Sequence, residues 1–292
     1  LREFCGGLSS CQGRLAHLGT KAPGRSTLAY ANAHRPAALF EKVFYQLLDQ
    51  CQSVAWPRKF RFKNKLMSLD STIIEVCQDI FKWAKYQQTK RAIKLHFTLD
   101  HDGYLPTVMV MTDGNTADGP IARQWTFSAG TILVFDRGYR DAGWFEKLTG
   151  MGVFFVTKLL ANAVLEVVES NPVPKNRRIV SDETVRFSGK KTRGKYPGYL
   201  RRIIVDLGDG ETLALLTNNF HLGASTIAAI YKDRWQIELF FKALKQNLRI
   251  KTFVGTSANA LKIQIWTALI AILLLKYLQM KARFGWSLSN LV

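Results

Sequence analysis

The sequence predicts a mixed α/β fold, a sheet with helices on both faces, and three observations support it. Short β-type runs rich in Val, Ile, Phe and Thr begin near Leu66 and are punctuated by Gly, Asp and Asn. The helical-looking segments IARQWTF and DAGWFEKL fall between the later runs, so strands come first and α/β alternation follows. Two long helical segments then close the chain. At 292 residues, 47% hydrophobic and 12% aromatic, the chain can bury a sizeable core as one large domain or two smaller ones.

The opening segment, to about Gln52, reads as helices, with Ser26 as an N-cap after Pro23-Gly24-Arg25. Leu1 rather than Met opens the chain and no apolar leader follows, so the sequence is read as a fragment without a signal peptide. Arg58, Lys59, Arg61, Lys63 and Lys65 then stand beside Trp56, Phe60 and Phe62, a basic and aromatic patch. Five β runs follow: KLMSLDSTIIEV, AIKLHFTLD, PTVMVMTDG, TILVFDRG and GVFFVTKL.

From about Ala161 to Asn219, the runs AVLEVVE, ETVRF, YLRRIIVDL and TLALLTN surround a charged, glycine-containing loop. Between Pro174 and Arg202 stand ten basic residues and two acids, Asp182 and Glu183, a composition suited to a platform for a phosphate backbone or to a solvated hairpin. The segment STIAAIYKDRWQIELFFKALKQNL reads as one helix with Ser225 as N-cap. A second runs from about Ser257 to Lys281. Its apolar core, Ile265 to Leu275, is shorter than the roughly 20 residues of a membrane span, so a buried helix is expected.

With 41 Lys+Arg against 22 Asp+Glu, the net charge of +19 points to a polyanionic partner, nucleic acid first. Cys5, Cys11, Cys51 and Cys77 lack the spacing of a zinc site and are read as reduced thiols. His96 and His101 have no partner motif and are read as structural. Asp113 and Asp118, in TDGNTADG, are read as turn formers.

Three carboxylates stand out by position. Asp70 lies in the apolar part of a strand, where a charge is costly unless paired or bound to metal. Asp136 ends the run TILVFD, at the carboxyl end of a strand, where α/β sites are built. Glu238 shares a helical arc of roughly 60° with Tyr231, Arg234 and Lys245, beside an apolar stripe of Ile230, Ile237, Phe241, Leu244 and Leu248. An ordinary i, i+4 ion pair between Arg234 and Glu238 is the plainer alternative.

The spacing Tyr-x2-Arg-x3-Glu-x6-Lys in YKDRWQIELFFKALK resembles the signature of DDE transposases of the insertion sequence four family. LDST at Asp70 and FDRGYRD at Asp136 supply the other two acidic motifs in order, 66 and 102 residues apart along the chain. The likeness runs from about Ser26 onward. It implies a ribonuclease H-like fold, a mixed five-stranded sheet flanked by helices, with a β-rich insertion at about 160–220 between the second Asp and the Glu. Residues 1–55 become a helical segment, the remnant of a DNA-binding domain, and 56–292 the catalytic domain.

The resemblance further implies that Asp70, Asp136 and Glu238 are catalytic and hold two Mg²⁺ or Mn²⁺ ions, hard cations suited to carboxylate oxygen and to in-line phosphodiester displacement. Tyr231, Arg234 and Lys245 become contacts to a DNA end, joined as DNA-binding candidates by Arg137, Arg140 and Lys242. Cut-and-paste transposition through hairpin ends is expected, with a flipped base stacked on an aromatic for which Trp235, Trp144 and Trp125 are candidates. The expected partners are double-stranded DNA, both transposon ends and target, and a second copy in a homodimer; the expected place is the bacterial cytoplasm at the nucleoid, without membrane. Another ribonuclease H-like nuclease, such as a junction resolvase, an inactive DNA-binding remnant, and a membrane protein are the competing readings.

Overall fold

The computed structural model describes residues 1–76, 85–87, 90–160, 163–173, 178–247, 255 and 257–282. Expectations for Cys77, Lys175, Arg177 and Leu248 lie outside the described residues. Four helices open the chain: α1 (Arg2–Ser10), α2 (Gln12–His17), α3 (Arg25–His34) and α4 (Ala37–Ser53). The first three bury no residue, whereas α4 buries Phe44, Leu48 and Cys51. Gly24, not Ser26, caps α3, and no side chain assists it.

The strands β1 (Leu66–Val76), β2 (Lys85–Gln87), β3 (Lys90–Asp100), β4 (Leu105–Asp113), β5 (Ile132–Phe135) and β6 (Phe154–Lys158) build the first part of the sheet. Between them lie α5 (Asp118–Ala122) and α6 (Ala142–Gly150). Asp141 starts α6 by accepting from the Trp144 N–H at 2.9 Å. The segment IARQWTF is helical only to Ala122; Arg123 and Gln124 turn, and Trp125 to Phe127 run on without regular structure.

The next strands are β7 (Leu165–Ser170), β8 (Ile179–Phe187), β9 (Leu200–Gly208) and β10 (Glu211–Thr217), with the short α7 (Lys190–Lys195) between β8 and β9. The five strands foreseen before the insertion do adjoin, in the order β4-β3-β1-β5-β6, but five is too few. Strand β10 pairs antiparallel with β6 and carries β9, β8 and β7 with it, so ten strands share one sheet. Pairing with β10 covers the edge of β6, whose unpaired backbone groups would otherwise face solvent or another chain. The central pairs β1·β5 and β5·β6 are parallel, and all four residues of β5 are buried, as parallel strands covered on both faces require.

The chain closes with α8 (Ala224–Asp233), α9 (Trp235–Lys242), a π-helical turn (Ala243–Asn247) and α10 (Ala258–Lys281). The single helix read from the sequence is thus broken at Arg234. Its cap is Gly223, with Ser225 already inside the helix. The helix expected from about Ser257 begins there, and the Ser257 hydroxyl caps α10 by accepting from the Ala260 N–H at 3.1 Å.

Helix α10 is long and apolar enough by composition to cross a membrane, yet its inner face is taken up by the core. Leu261, Ile265, Trp266, Leu269, Ile272 and Leu273 pack with Phe44 and Leu48 of α4, Phe97 of β3 and Ile237, Phe240 and Phe241 of α9. On the other face of the sheet, Leu69, Leu133, Phe135 and Phe155 meet Trp144, Phe145 and Leu148 of α6. The result puts α4, α8, α9 and α10 on one face and α5 and α6 on the other.

Candidate active site

Register places two of the three acids. In the parallel pair β1·β5, Leu69 lies opposite Phe135, so Asp70 and Asp136, the next residues, stand side by side about one strand spacing, roughly 5 Å, apart. Side chains alternate along a strand. Asp70 therefore shares the face of Leu66 and Ser68, and Asp136 that of Ile132 and Val134. That is the face covered by α8, since Leu66, Ile132 and Val134 pack with Ile227 and Ile230.

The broken helix brings the third. Arg234, at the junction of α8 and α9, donates through Nη2 to Glu238 Oε1 at 2.8 Å and reaches Asp70 Oδ2 through Nη1 at 3.5 Å. Its guanidinium also lies 5.6 Å from the centre of the Tyr231 ring, within cation–π range. Asp70, Asp136, Tyr231, Arg234 and Glu238 thus share one neighbourhood. Ile230, Ile237, Phe241 and Leu244 are buried, as the helical stripe requires. The π turn at 243–247 shifts the phase of Lys245, half-buried, away from the arc that an ideal helix would keep. Arg137, Arg140 and Lys242 are exposed, but Arg140 lines a cleft with Phe145 of α6 and Thr192 of α7, on the other side of the sheet. Of the three tryptophans, Trp144 is buried against Phe135 and is no stacking surface, Trp125 is half-buried, and Trp235, next to Arg234, is 56% exposed.

Burial pushes the Asp70 carboxyl up to about 7; the Ser71 N–H and Arg234 pull it down, while Asp136 and Glu238 push it further up. Burial raises the Tyr231 hydroxyl as well. Burial alone would lower the Arg234 guanidinium, but Tyr231, Asp70 and Glu238 outweigh it, and the group is held more firmly charged. The three acids repel one another. Among the described residues, no three His, Cys, Asp or Glu side chains converge as a ready metal cage; the cation between Asp70 and Glu238 is Arg234. The donor set itself, all carboxylate oxygen, fits a hard divalent cation.

The sequence reading did not join Asp118, Lys94 and His96, which meet near the acids. Asp118, taken for a turn former, opens α5 and meets Lys94 Nζ at 2.9 Å and His96 Nδ1 at 3.1 Å. Burial would raise its carboxyl, but His96, Ser71 and Lys94 bring it down to about 2. His96 also lies 2.8 Å from Thr112 Oγ1 through Nε2. Because Ser71 follows Asp70 and lies opposite His96 in the β1·β3 register, this network braces β1 from the face away from Arg234. The helical period and the turn dipeptides carry no trace of a contact made across strands.

A family model described as the transposase DDE domain matches residues 61–274. The chain belongs to the DDE transposase family. The transposase chain is 36% identical over 282 residues to the protein named transposase y4zB of Sinorhizobium fredii, covering 94% of this chain and 77% of that one. It is 31% identical over 268 residues to the transposase assigned to insertion sequence element IS5377 of Geobacillus stearothermophilus, covering 90% and 70%. A solved synaptic complex of piggyBac transposase with hairpin DNA aligns at a TM-score of 0.47 and 13% identity, over 91% of this chain and 57% of that one. DDE transposases are enzymes that act on DNA, and that is the activity of this family member.

The insertion carries less free positive charge than its composition suggests. Arg186 is paired to Glu166, Arg201 to Asp182 and Arg202 to Glu183, so these cations are spent across neighbouring strands. Lys190, Lys191, Arg193 and Lys195 of α7 are exposed instead. Among the described residues, the exposed positive charge of the insertion therefore lies mainly on this short helix, with Arg178 exposed just before β8.

Proposed function

We propose that Asp70, Asp136 and Glu238 are the catalytic acids, that they hold two Mg²⁺ or Mn²⁺ ions, and that the chain cuts and joins the ends of an insertion sequence. The observation that carries this reading is Arg234, whose guanidinium spans from Glu238 on the covering helix to Asp70 on the strand beside Asp136. Two aspartates on adjacent strands with a glutamate on a later helix is also the arrangement expected of a ribonuclease H-like fold. Two divalent ions held there would stabilise the attacking and the leaving oxygen of a phosphodiester.

The protein's own groups do the rest. Asp70, with its carboxyl near 7, releases its proton most readily when further positive charge reaches the site. Tyr231, Arg234 and Lys245, with the exposed Arg137, Arg140 and Lys242, grip the phosphates of a DNA end; the planar Arg234 fork suits a phosphate as well as a carboxylate. Trp235 is the aromatic best exposed to stack a displaced base, in keeping with cut-and-paste through hairpin ends. The exposed helices α1 to α3 of the segment 1–55 add DNA contacts, anchored through α4, and two copies pair two ends as a homodimer. For work on DNA we infer a cytoplasmic location at the nucleoid, away from membrane.

The test is a nicking assay on a duplex carrying the element's own terminal sequence, in Mn²⁺. Asp70→Ala, Asp136→Ala and Glu238→Ala should each abolish cleavage and leave DNA binding intact. Robust cleavage by any one of them sinks the assignment.

A further inference from the structure

Outside the acidic site, a chain of buried polar side chains links the strand that carries Asp70 to the helix that carries Glu238. Ser68 Oγ lies 2.6 Å from His101 Nε2, and His101 Nδ1 lies 2.7 Å from Asp233 Oδ2. The Tyr104 hydroxyl donates to the same Asp233 oxygen at 3.2 Å. Ser68, His101 and Asp233 are 0%, 1% and 8% exposed. Such burial shuts out any substrate, so the Ser-His-Asp order is no nucleophilic triad, whatever its likeness to one. With a carboxylate at Nδ1 the imidazole donates there, and Nε2 accepts from the serine hydroxyl; this tautomer is assigned from the partners.

The two ends of the chain adjoin site residues. Ser68 precedes Asp70 by two positions and shares its face of β1. Asp233 immediately precedes Arg234 at the break between α8 and α9. The middle is clamped. The His101 N–H donates to the Leu66 carbonyl at 3.0 Å, and the Lys276 ammonium of α10 donates to the Gly103 carbonyl at 3.2 Å. Gly103 and Tyr104 are both left-handed, at φ 73° and 52°, which turns the Tyr104 hydroxyl onto Asp233. Apart from the long Arg234 contact to Asp70, α8 and α9 pack on the sheet through Ile227, Ile230, Ile237, Phe240 and Phe241. Apolar contact is non-directional and tolerates sliding, whereas hydrogen bonds fix a position.

We propose that Ser68, His101 and Asp233 are positioning residues that set the height of Arg234 and Glu238 over Asp70, and thereby the affinity of the acidic site for a divalent cation. This rests on the reading of Asp70, Asp136 and Glu238 as metal-holding residues. The experiment is a thermal melt of the full chain titrated with MnCl₂, because a cation that binds only the folded state raises the melting temperature. The variants are Ser68→Ala, Asp233→Asn, Asp136→Ala and, as a control from the opposite core, Leu148→Ala.

The Mn²⁺ concentration needed for a given rise in melting temperature should increase about tenfold in Ser68→Ala and Asp233→Asn. In Leu148→Ala it should stay within about twofold of the parent, although that variant melts lower. If Ser68→Ala and Asp233→Asn melt lower but respond to Mn²⁺ like the parent, the chain is merely structural and the proposal falls. Should Asp233→Asn not fold, Ser68→Ala, which removes one hydroxyl, decides alone. Asp136→Ala separates the two claims. A parent-like Mn²⁺ response there overturns the metal reading and this proposal with it, whereas its loss beside unchanged Ser68→Ala and Asp233→Asn overturns only the positioning role.

Discussion

Arg201 and Arg234 are both largely buried arginines facing carboxylates, and they are satisfied very differently. Arg201 donates to both oxygens of Asp182, at 2.8 and 2.6 Å, and to the carbonyls of Leu222 at 2.6 Å and Asn219 at 3.3 Å. Arg234 makes one short bond, to Glu238, and one long one, to Asp70, and its buried Nε has no partner. A saturated guanidinium locks β8 to β9 and to the loop before α8. An under-satisfied one holds the two carboxylates of Asp70 and Glu238 close while leaving them oxygen atoms to spare. The contrast separates an ion pair that serves the architecture from one poised to exchange partners.

The largest effect that would break this contrast lies at the acids. Asp136→Ala should lower the cleavage rate by at least about 10³-fold, about 4 kcal/mol in barrier height, with a normal urea melt. An active variant would mean that Arg234 and its neighbours are only structural. Next comes Arg201→Ala, which strands Asp182 in the interior and should cost about 3 to 5 kcal/mol of stability, read by urea denaturation. A loss below about 1 kcal/mol would show that the pair is not what holds β8 to β9.

Smaller is the pH effect at Asp70. The carboxyl is raised from 3.8 in the unfolded chain to about 7 in the fold, so its contribution to stability is complete below about pH 4 and is lost as pH rises through 7. Asp70→Asn, which cannot ionise, should therefore gain on the parent between pH 4 and pH 8, by an amount on the order of 1 to 3 kcal/mol, in melts without divalent cation. A constant difference across that range would contradict the raised carboxyl. The smallest effect belongs to the insertion. Lys190→Ala and Lys191→Ala should each reduce the salt slope of DNA binding by about 1, seen by titrations at several salt concentrations, whereas Arg202→Ala, already paired to Glu183, should barely change it.

Local patterning made most of the scaffold readable. The runs around Leu66, Ala92, Pro106, Ile132 and Phe154 are strands, because alternation and β-branched residues act within the strand itself. The start of α10 near Ser257 was readable, and the hydroxyl there accepts from the Ala260 N–H three residues on. That of α8, read at Ser225, was not: Gly223 begins the helix two residues earlier on backbone geometry alone.

The acids could be located by motif, yet their adjacency depends on pairing register, which no local window contains. The same holds for His96 with Asp118, His101 with Asp233 and Arg201 with Asp182, pairs 22, 132 and 19 residues apart. Charge counts alone made the insertion look uniformly basic. Cross-strand pairing left only part of that charge free.

The parallel register of β1 and β5 has a mechanical consequence. Asp70 and Asp136 sit on neighbouring strands in the middle of a ten-stranded sheet, so separating them means shearing the ladder between them. They behave as the fixed jaw of a vice. Glu238 comes from a helix laid over that face, held there through Asp233 on His101 and Arg234 on Asp70, and it forms the opposing jaw, whose gap these side-chain contacts set.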